Sequence, residues 1–266
     1  RVEQLLQAKG HGFKTVWFAP DLLTAESRLE ADRYLQALAD AEMAAIVDFG
    51  PLQHAVERKK LPPATVQENI RTFIERYRTH PAIIMYQNLD EPNCVLENGE
   101  AVGAAAALTA MHRFIKELDP YRPVFVNWSP RVDKWDLAYT EVMAYDYYST
   151  PVSPTERTID RHNVFDDHAR RLALGAGKPF LKWLELDHGC TELGPRLMRP
   201  AEERCVTFLS LVNGARALSY FYGRPWNDEV WEALARIGVE VQRLTPVLCA
   251  PDSAETALAD DDAVRV

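Results

Sequence analysis

The chain has 266 residues, 47% hydrophobic and 26% charged, an ordinary globular composition at a length that suits one α/β barrel. Its net charge is −9 and no cluster of five or more Lys and Arg occurs. That argues against nucleic acid and anionic membranes as partners, since both need a basic footprint. No apolar run approaches the roughly 18 residues of a membrane helix. Cys94, Cys190, Cys205 and Cys249 are widely spaced with no C-x-x-C pair, so neither a zinc site nor a disulfide framework is indicated, and one disulfide in an oxidising compartment stays open.

Helix and strand patterns alternate along the chain. Val2 to Lys9 reads as a helix stopped by Gly10 and Gly12, and Thr15 to Phe18 as a strand closed by Ala19-Pro20-Asp21. Glu26 to Ala41 is helical, with Leu29, Tyr34, Leu35 and Leu38 on one side. Ala44 to Phe49 is a strand ending at Asp48-Phe49-Gly50-Pro51, and Pro63 to Arg78 a helix stopped by His80-Pro81. Ala82 to Leu89 is a buried strand running into Asp90-Glu91-Pro92. Val102 to Leu118 is a helix, Pro123 to Trp128 a strand, and Val142 to Tyr148 another strand. Helices over Asp160 to Leu174, Pro200 to Asn213 and Asp228 to Leu244 then alternate with strands over Pro179 to Leu186 and Ala217 to Tyr222.

The seven strands are short, apolar and non-alternating, as strands are when helices cover a parallel sheet. A doubly wound open sheet would place a glycine-rich turn after its first strand, and the turn after Phe18 has none. The expected fold is therefore a (β/α)8 TIM barrel. Eight strands close such a barrel, so this chain is expected to lack the first and to hold strands two to eight within residues 1–250. Residues 251–266 form a tail that could open an accessory β domain.

Active sites of this architecture lie at the C-terminal ends of the strands. The residues there are Asp21, Asp48, Asp90, Glu91, Asn127, Trp128, Asp146, Tyr147, Tyr148, Glu185, Asp187, His188, Tyr222 and Trp226. Carboxylates supply acid, base and nucleophile for cleaving a glycosidic bond, and aromatic faces stack on sugar rings. The seven histidines form no H-x-H or H-E-x-x-H pattern, and there is no G-x-S-x-G elbow or cofactor fingerprint. No metal or organic cofactor is expected.

The segment His80-Pro81-Ala82-Ile83-Ile84-Met85-Tyr86-Gln87-Asn88-Leu89-Asp90-Glu91-Pro92 resembles the fourth-strand motif of the clan A glycoside hydrolases, retaining barrel enzymes. Glu141 to Tyr148 resembles their sixth strand, and Pro200 to Phe221, with Gly214-Ala215-Arg216, the helix and turn entering their eighth. The resemblance implies that Glu91 is the acid/base and Glu185, in Lys178-Pro179-Phe180-Leu181-Lys182-Trp183-Leu184-Glu185, the nucleophile. It further implies an oligo- or polysaccharide substrate, contacted by Asp90, Asn127, Trp128, Asp146, Tyr147, Tyr148, Tyr222 and Trp226, and favours a secreted or periplasmic location. A Glu at position 185 could instead pair with Lys182 or Arg196. One departure stands out. The family usually has Asn before the acid/base, and this chain has Asp90, which when ionised can only accept hydrogen bonds. Asp90 and the absent first strand leave an alternative reading: a barrel that binds carbohydrate without cleaving it, or an inactive fragment.

Overall fold

A computed structural model describes residues 2–20, 24–57, 61–92, 101–130, 135–149, 159–186, 198–221 and 228–250. They fall into two compact units, Arg1–Tyr145 and Asp146–Val266.

The first unit begins with α1 (Val2–Gly10), β1 (Thr15–Phe18), α2 (Ala25–Asp40) and β2 (Ala44–Asp48). It continues through α3 (Gly50–Glu57), α4 (Pro63–Tyr77), β3 (Ile83–Asp90), α5 (Ala101–Leu118), β4 (Val124–Trp128) and β5 (Met143–Asp146), whose last residue opens the second unit. Neighbouring strands pair in parallel and in chain order from β1 to β5. Helix α2 starts sharply because Thr24 and Ser27 form a capping box: Ser27 N–H donates to Thr24 Oγ1 at 3.0 Å and Thr24 N–H to Ser27 Oγ at 3.1 Å. Helix α4 opens on Pro63, whose fixed φ suits the first helical turn.

One face of these strands carries Phe18, Val47, Tyr86 and Val124, which join Leu35 and Leu38 of α2 and Ile70, Phe73 and Ile74 of α4 in a continuous core. Phe49 stacks on Tyr86 at 5.6 Å and meets Phe73 edge-on at 5.8 Å. The other face carries Trp17 and Phe125, edge to face at 6.3 Å. Both faces are thus occupied, which is why the strand sequences do not alternate. Near the start of β3, Asp119 accepts from Tyr86 Oη and Arg122 Nη1, each at 2.9 Å, while Arg122 Nε donates to Ile83 O at 2.7 Å. Burial acts to raise the Asp119 carboxyl, and the bonds from Arg122 and Tyr86 outweigh it and hold the group below its usual range.

The second unit holds α6 (Asp160–Ala176), β6 (Phe180–Glu185), α7 (Pro200–Val212), β7 (Ala217–Phe221) and α8 (Asp228–Leu248). Strands β6 and β7 pair in parallel, from Leu181 opposite Ala217 to Glu185 opposite Phe221. Helix α6 ends on left-handed Gly177 (φ 63°), the conformation that favours glycine after a helix. Leu184, Leu218 and Tyr220 pack with Val206 of α7, so Glu185, next along β6, belongs to the opposite face.

Among the described residues, seven parallel strands and eight helices make a (β/α)8-type fold, one strand short of a closed barrel. All seven expected strands are present, with no end moved by more than two residues. Helix α3 was not expected, because Gly50-Pro51 reads as a stop although proline also suits a first helical turn. The buried stripe of α2 is also corrected. It runs through Ala31, Leu35 and Leu38, and Leu29 is exposed because it sits two positions, about 200° around the helix, from Ala31.

Phe73 contacts three aromatic rings and is fully buried. Phe73→Ala is expected to lower the unfolding free energy by about 3–5 kcal/mol, read as a lower urea midpoint at unchanged slope. A loss below about 1 kcal/mol would contradict this packing.

Candidate active site

Parallel pairing brings the ends of β2, β3 and β4 side by side. Asp48 lies opposite Gln87, and Asp90 opposite Asn127. Between β3 and β4 the register shifts: Gln87 pairs with Phe125 and Asp90 with Asn127, three steps on one strand against two on the other. The extra residue is a β-bulge, and it turns Asp90 onto the face that already carries Gln87. Asn127 Nδ2 donates to Asp90 Oδ1 at 2.9 Å, and Gln87 Nε2 reaches the same oxygen at 3.5 Å. Glu91 follows with φ 42°, a left-handed conformation unfavourable for a side chain of its kind. Its N–H donates to Asn127 O at 2.7 Å, which fixes this turn on β4. Backbone strain of this sort persists only where surrounding contacts impose it, and it concentrates at functional sites.

Asp48 caps its own loop, its Oδ1 accepting from Gly50 N–H at 2.8 Å. Burial and the neighbouring Asp90 charge push its carboxyl up to about 7, against the lowering effect of the Gly50 bond. Trp128 shares the helix-side alternation of Val124 and Val126, and it is fully buried and tilted against Tyr139 at 6.0 Å. Its ring faces protein.

The second unit holds the other candidates. Glu185 ends β6 and is buried. Glu203 of α7 is also fully buried, and neither of its carboxyl oxygens has a hydrogen-bond partner among the described residues. Burial first, then the charges of Glu185 and Glu202, drive the Glu203 carboxyl well above its usual range. Lys182 lies three residues before Glu185 and so on the other face of β6, where it too is buried. Burial pushes its ammonium down, while Asp166 and Asp146 act to keep the charge. Lys182 and Glu185 are both buried, so neither lies on the surface. Buried His162 is driven well below the usual imidazole range by desolvation and by Lys182.

Tyr147 is buried, meeting His162 at 4.7 Å and Phe165 at 4.8 Å, and Lys182 Nζ lies 5.8 Å from its ring centroid. Tyr148 is half-buried and stacks on Phe221 at 5.4 Å, and its Oη reaches Asp146 Oδ2 at 3.5 Å. Tyr222, Trp226, Asp21, Asp187, His188 and Arg196 lie outside the described residues, as do Cys94 and Cys190. Cys205 and Cys249 are exposed free thiols. Among the described residues no three His, Cys, Asp or Glu side chains group as metal ligands.

Gln87 and Glu203 were not foreseen. Gln87 sits inside an apolar strand and was legible as an oddity there, whereas Glu203 looks like any polar residue of a first helical turn.

The family model of the glycosyl hydrolases family 2 TIM barrel domain matches residues 26–170, over half of the chain. No curated protein sequence matches. Among solved structures, the cold-adapted β-galactosidase from Rahnella sp. R3 superposes with a TM-score of 0.67 at 12% identity, over 93% of this chain and 54% of that one. The glycoside hydrolase family 5 mannosidase from Rhizomucor miehei gives 0.65 at 10% identity, over 92% and 88%. A family 2 β-galacturonidase from Eisenbergiella tayi, bound to galacturonate, gives 0.58 at 15%, over 90% and 46%. This chain therefore spans about half the length of the β-galactosidase.

Glu203 predicts a pH dependence of stability. Burial holds its carboxyl well above the usual carboxylate range in the folded protein, whereas an unfolded glutamate ionises at about 4.3. The folded state then binds more protons, so stability falls as pH rises above that value, by about 1.4 kcal/mol per pH unit until the folded group also ionises. Glu203→Gln is expected to match the parent at pH 4 and exceed its unfolding free energy at pH 8. Equal differences at both pH values would contradict a buried neutral acid.

Proposed function

Because the chain belongs to the family of the glycosyl hydrolases family 2 TIM barrel domain, we propose that it hydrolyses O-glycosidic bonds of an oligo- or polysaccharide by a retaining double displacement. The observation that carries this reading is Glu91, held in a left-handed turn at the end of β3 by its bond to Asn127, directly after Asp90. An acid/base must be positioned before it can transfer a proton efficiently, and this turn is positioned by backbone rather than by side-chain chance. In the proposed mechanism Glu91 protonates the leaving oxygen while Glu185 attacks the anomeric carbon. Glu91 then takes a proton from the water that releases the sugar. Retention requires the two carboxyl groups to lie about 5–5.5 Å apart. Asp90, Asn127 and Tyr148 are the described side chains proposed to meet the sugar, and Tyr222 and Trp226 remain proposed contacts.

The proposal is tested with aryl galactosides, mannosides and galacturonides, the sugars named in the structural relatives. Glu91→Gln is expected to lower kcat/KM by about 10²–10⁴-fold, with a smaller loss for aryl groups that leave without protonation. Glu185→Gln is expected to abolish turnover whatever the leaving group. In the parent, a 2-fluoro glycoside should leave a sugar covalently attached to the peptide containing Glu185. Label on another peptide would remove Glu185 from the role.

The substitution of Asp for the family's Asn favours a second reading, a barrel that binds carbohydrate without cleaving it. No turnover by the parent, with sugar binding unchanged in Glu91→Gln, would select it.

A further inference from the structure

Tyr147 and Tyr148 follow β5 one after the other and meet different groups. The Tyr147 ring is buried, with the rings of His162 and Phe165 of α6 centred 4.7 and 4.8 Å away. Lys182 of β6 is fully buried and places Nζ 5.8 Å from the same Tyr147 centroid, within reach of a cation–π contact. Tyr148 instead lies on Phe221, the rings 5.4 Å apart and 21° from parallel, and stays half-buried. Phe221 is the register partner of Glu185, so the stacked pair stands beside that carboxylate.

Burying an ammonium is costly, and an apolar side chain would fill the place without that cost, as Leu184 does two residues along the same face of β6. What distinguishes Lys182 from such a residue is its charge. Asp166 and Asp146 act to keep that charge against desolvation, and Asp166 is fixed by Ser210 Oγ–H, which donates to its Oδ2 at 2.9 Å. His162 adds no competing cation, because burial and Lys182 hold its imidazole well below the usual range. We propose that Lys182 is a positioning residue, whose ammonium pins the Tyr147 ring against α6 and so holds Tyr148 on Phe221 beside Glu185. Consecutive side chains of an extended chain leave from opposite sides, so anchoring Tyr147 on the helix side turns Tyr148 the other way. That a sugar meets Tyr148 rests on the glycosidase reading; the positioning does not.

The test is 19F NMR of protein labelled with 3-fluorotyrosine, alongside KM and kcat for aryl glycosides. Tyr148→Phe assigns the Tyr148 resonance, and Phe221→Leu gives its shift when unstacked. Lys182→Met, which keeps an unbranched stem without the charge, is expected to move the Tyr148 resonance towards that unstacked position. The resonances of Tyr34 and Tyr77, in the first unit, should stay. Tyr147→Leu should move the Tyr148 resonance as Lys182→Met does, and Tyr147→Phe, which keeps the ring under the ammonium, should not. Should Lys182→Met fail to fold, the contrast between the two Tyr147 variants decides the matter alone. An unmoved Tyr148 resonance in folded Lys182→Met, or equal effects of Tyr147→Leu and Tyr147→Phe, overturns the positioning role. In a parent that hydrolyses glycosides, Lys182→Met should raise KM about tenfold and change kcat less, as loss of sugar binding does. An unchanged KM overturns the link to sugar binding. A parent without hydrolysis, in which Lys182→Met still moves the Tyr148 resonance, overturns the glycosidase reading and supports the positioning role.

Discussion

Parallel pairing of β2, β3 and β4 is the constraint on which the first unit depends. The ladder cannot form until each strand buries its outer face, and α2 and α4 supply that burial through Leu35, Leu38, Ile70, Phe73 and Ile74. Once register is set, the residues at the C-terminal ends have no freedom to choose neighbours. Asp48 meets the end of β3, and Asp90 meets Asn127. The site is in this sense a by-product of strand register, and the apolar core behind it holds polar groups where they could not gather alone.

Placing polar groups at strand ends has an electrostatic cost, and the two units meet it differently. In the first, carboxylates stand beside amides, and a bulge turns Asp90 towards the donors of Asn127 and Gln87. In the second, Lys182 is buried near Asp166 and Asp146, with opposite charges opposing the effect of desolvation. Glu203 has no hydrogen-bond partner among the described residues, and burial drives its carboxyl well above its usual range. A neutral acid is the cheaper state for a carboxyl that has neither water nor a donor.

Aromatic residues at strand ends also divide by surroundings. Trp128 and Tyr147 are buried against Tyr139, His162 and Phe165, whereas half-buried Tyr148 lies flat on Phe221. A sugar platform needs an open face, so alternation along the strand discriminates between aromatics that look equivalent in a list.

The sequence by itself determined the order of elements, because apolar runs bounded by proline, glycine and aspartate identify strands and helices from local chemistry alone. It also made Glu91 stand out, since a carboxylate pair before proline at the end of a buried strand is a local feature. Tertiary structure decided what local chemistry cannot contain. Gln87 and Asp90 are three residues apart and would face opposite ways on a regular strand; only the mismatch with β4 places them together. The burial of Lys182 and Glu203 likewise depends on which helix covers which strand. A charge in a sequence does not carry its dielectric surroundings with it, and those surroundings arise only when the elements pack.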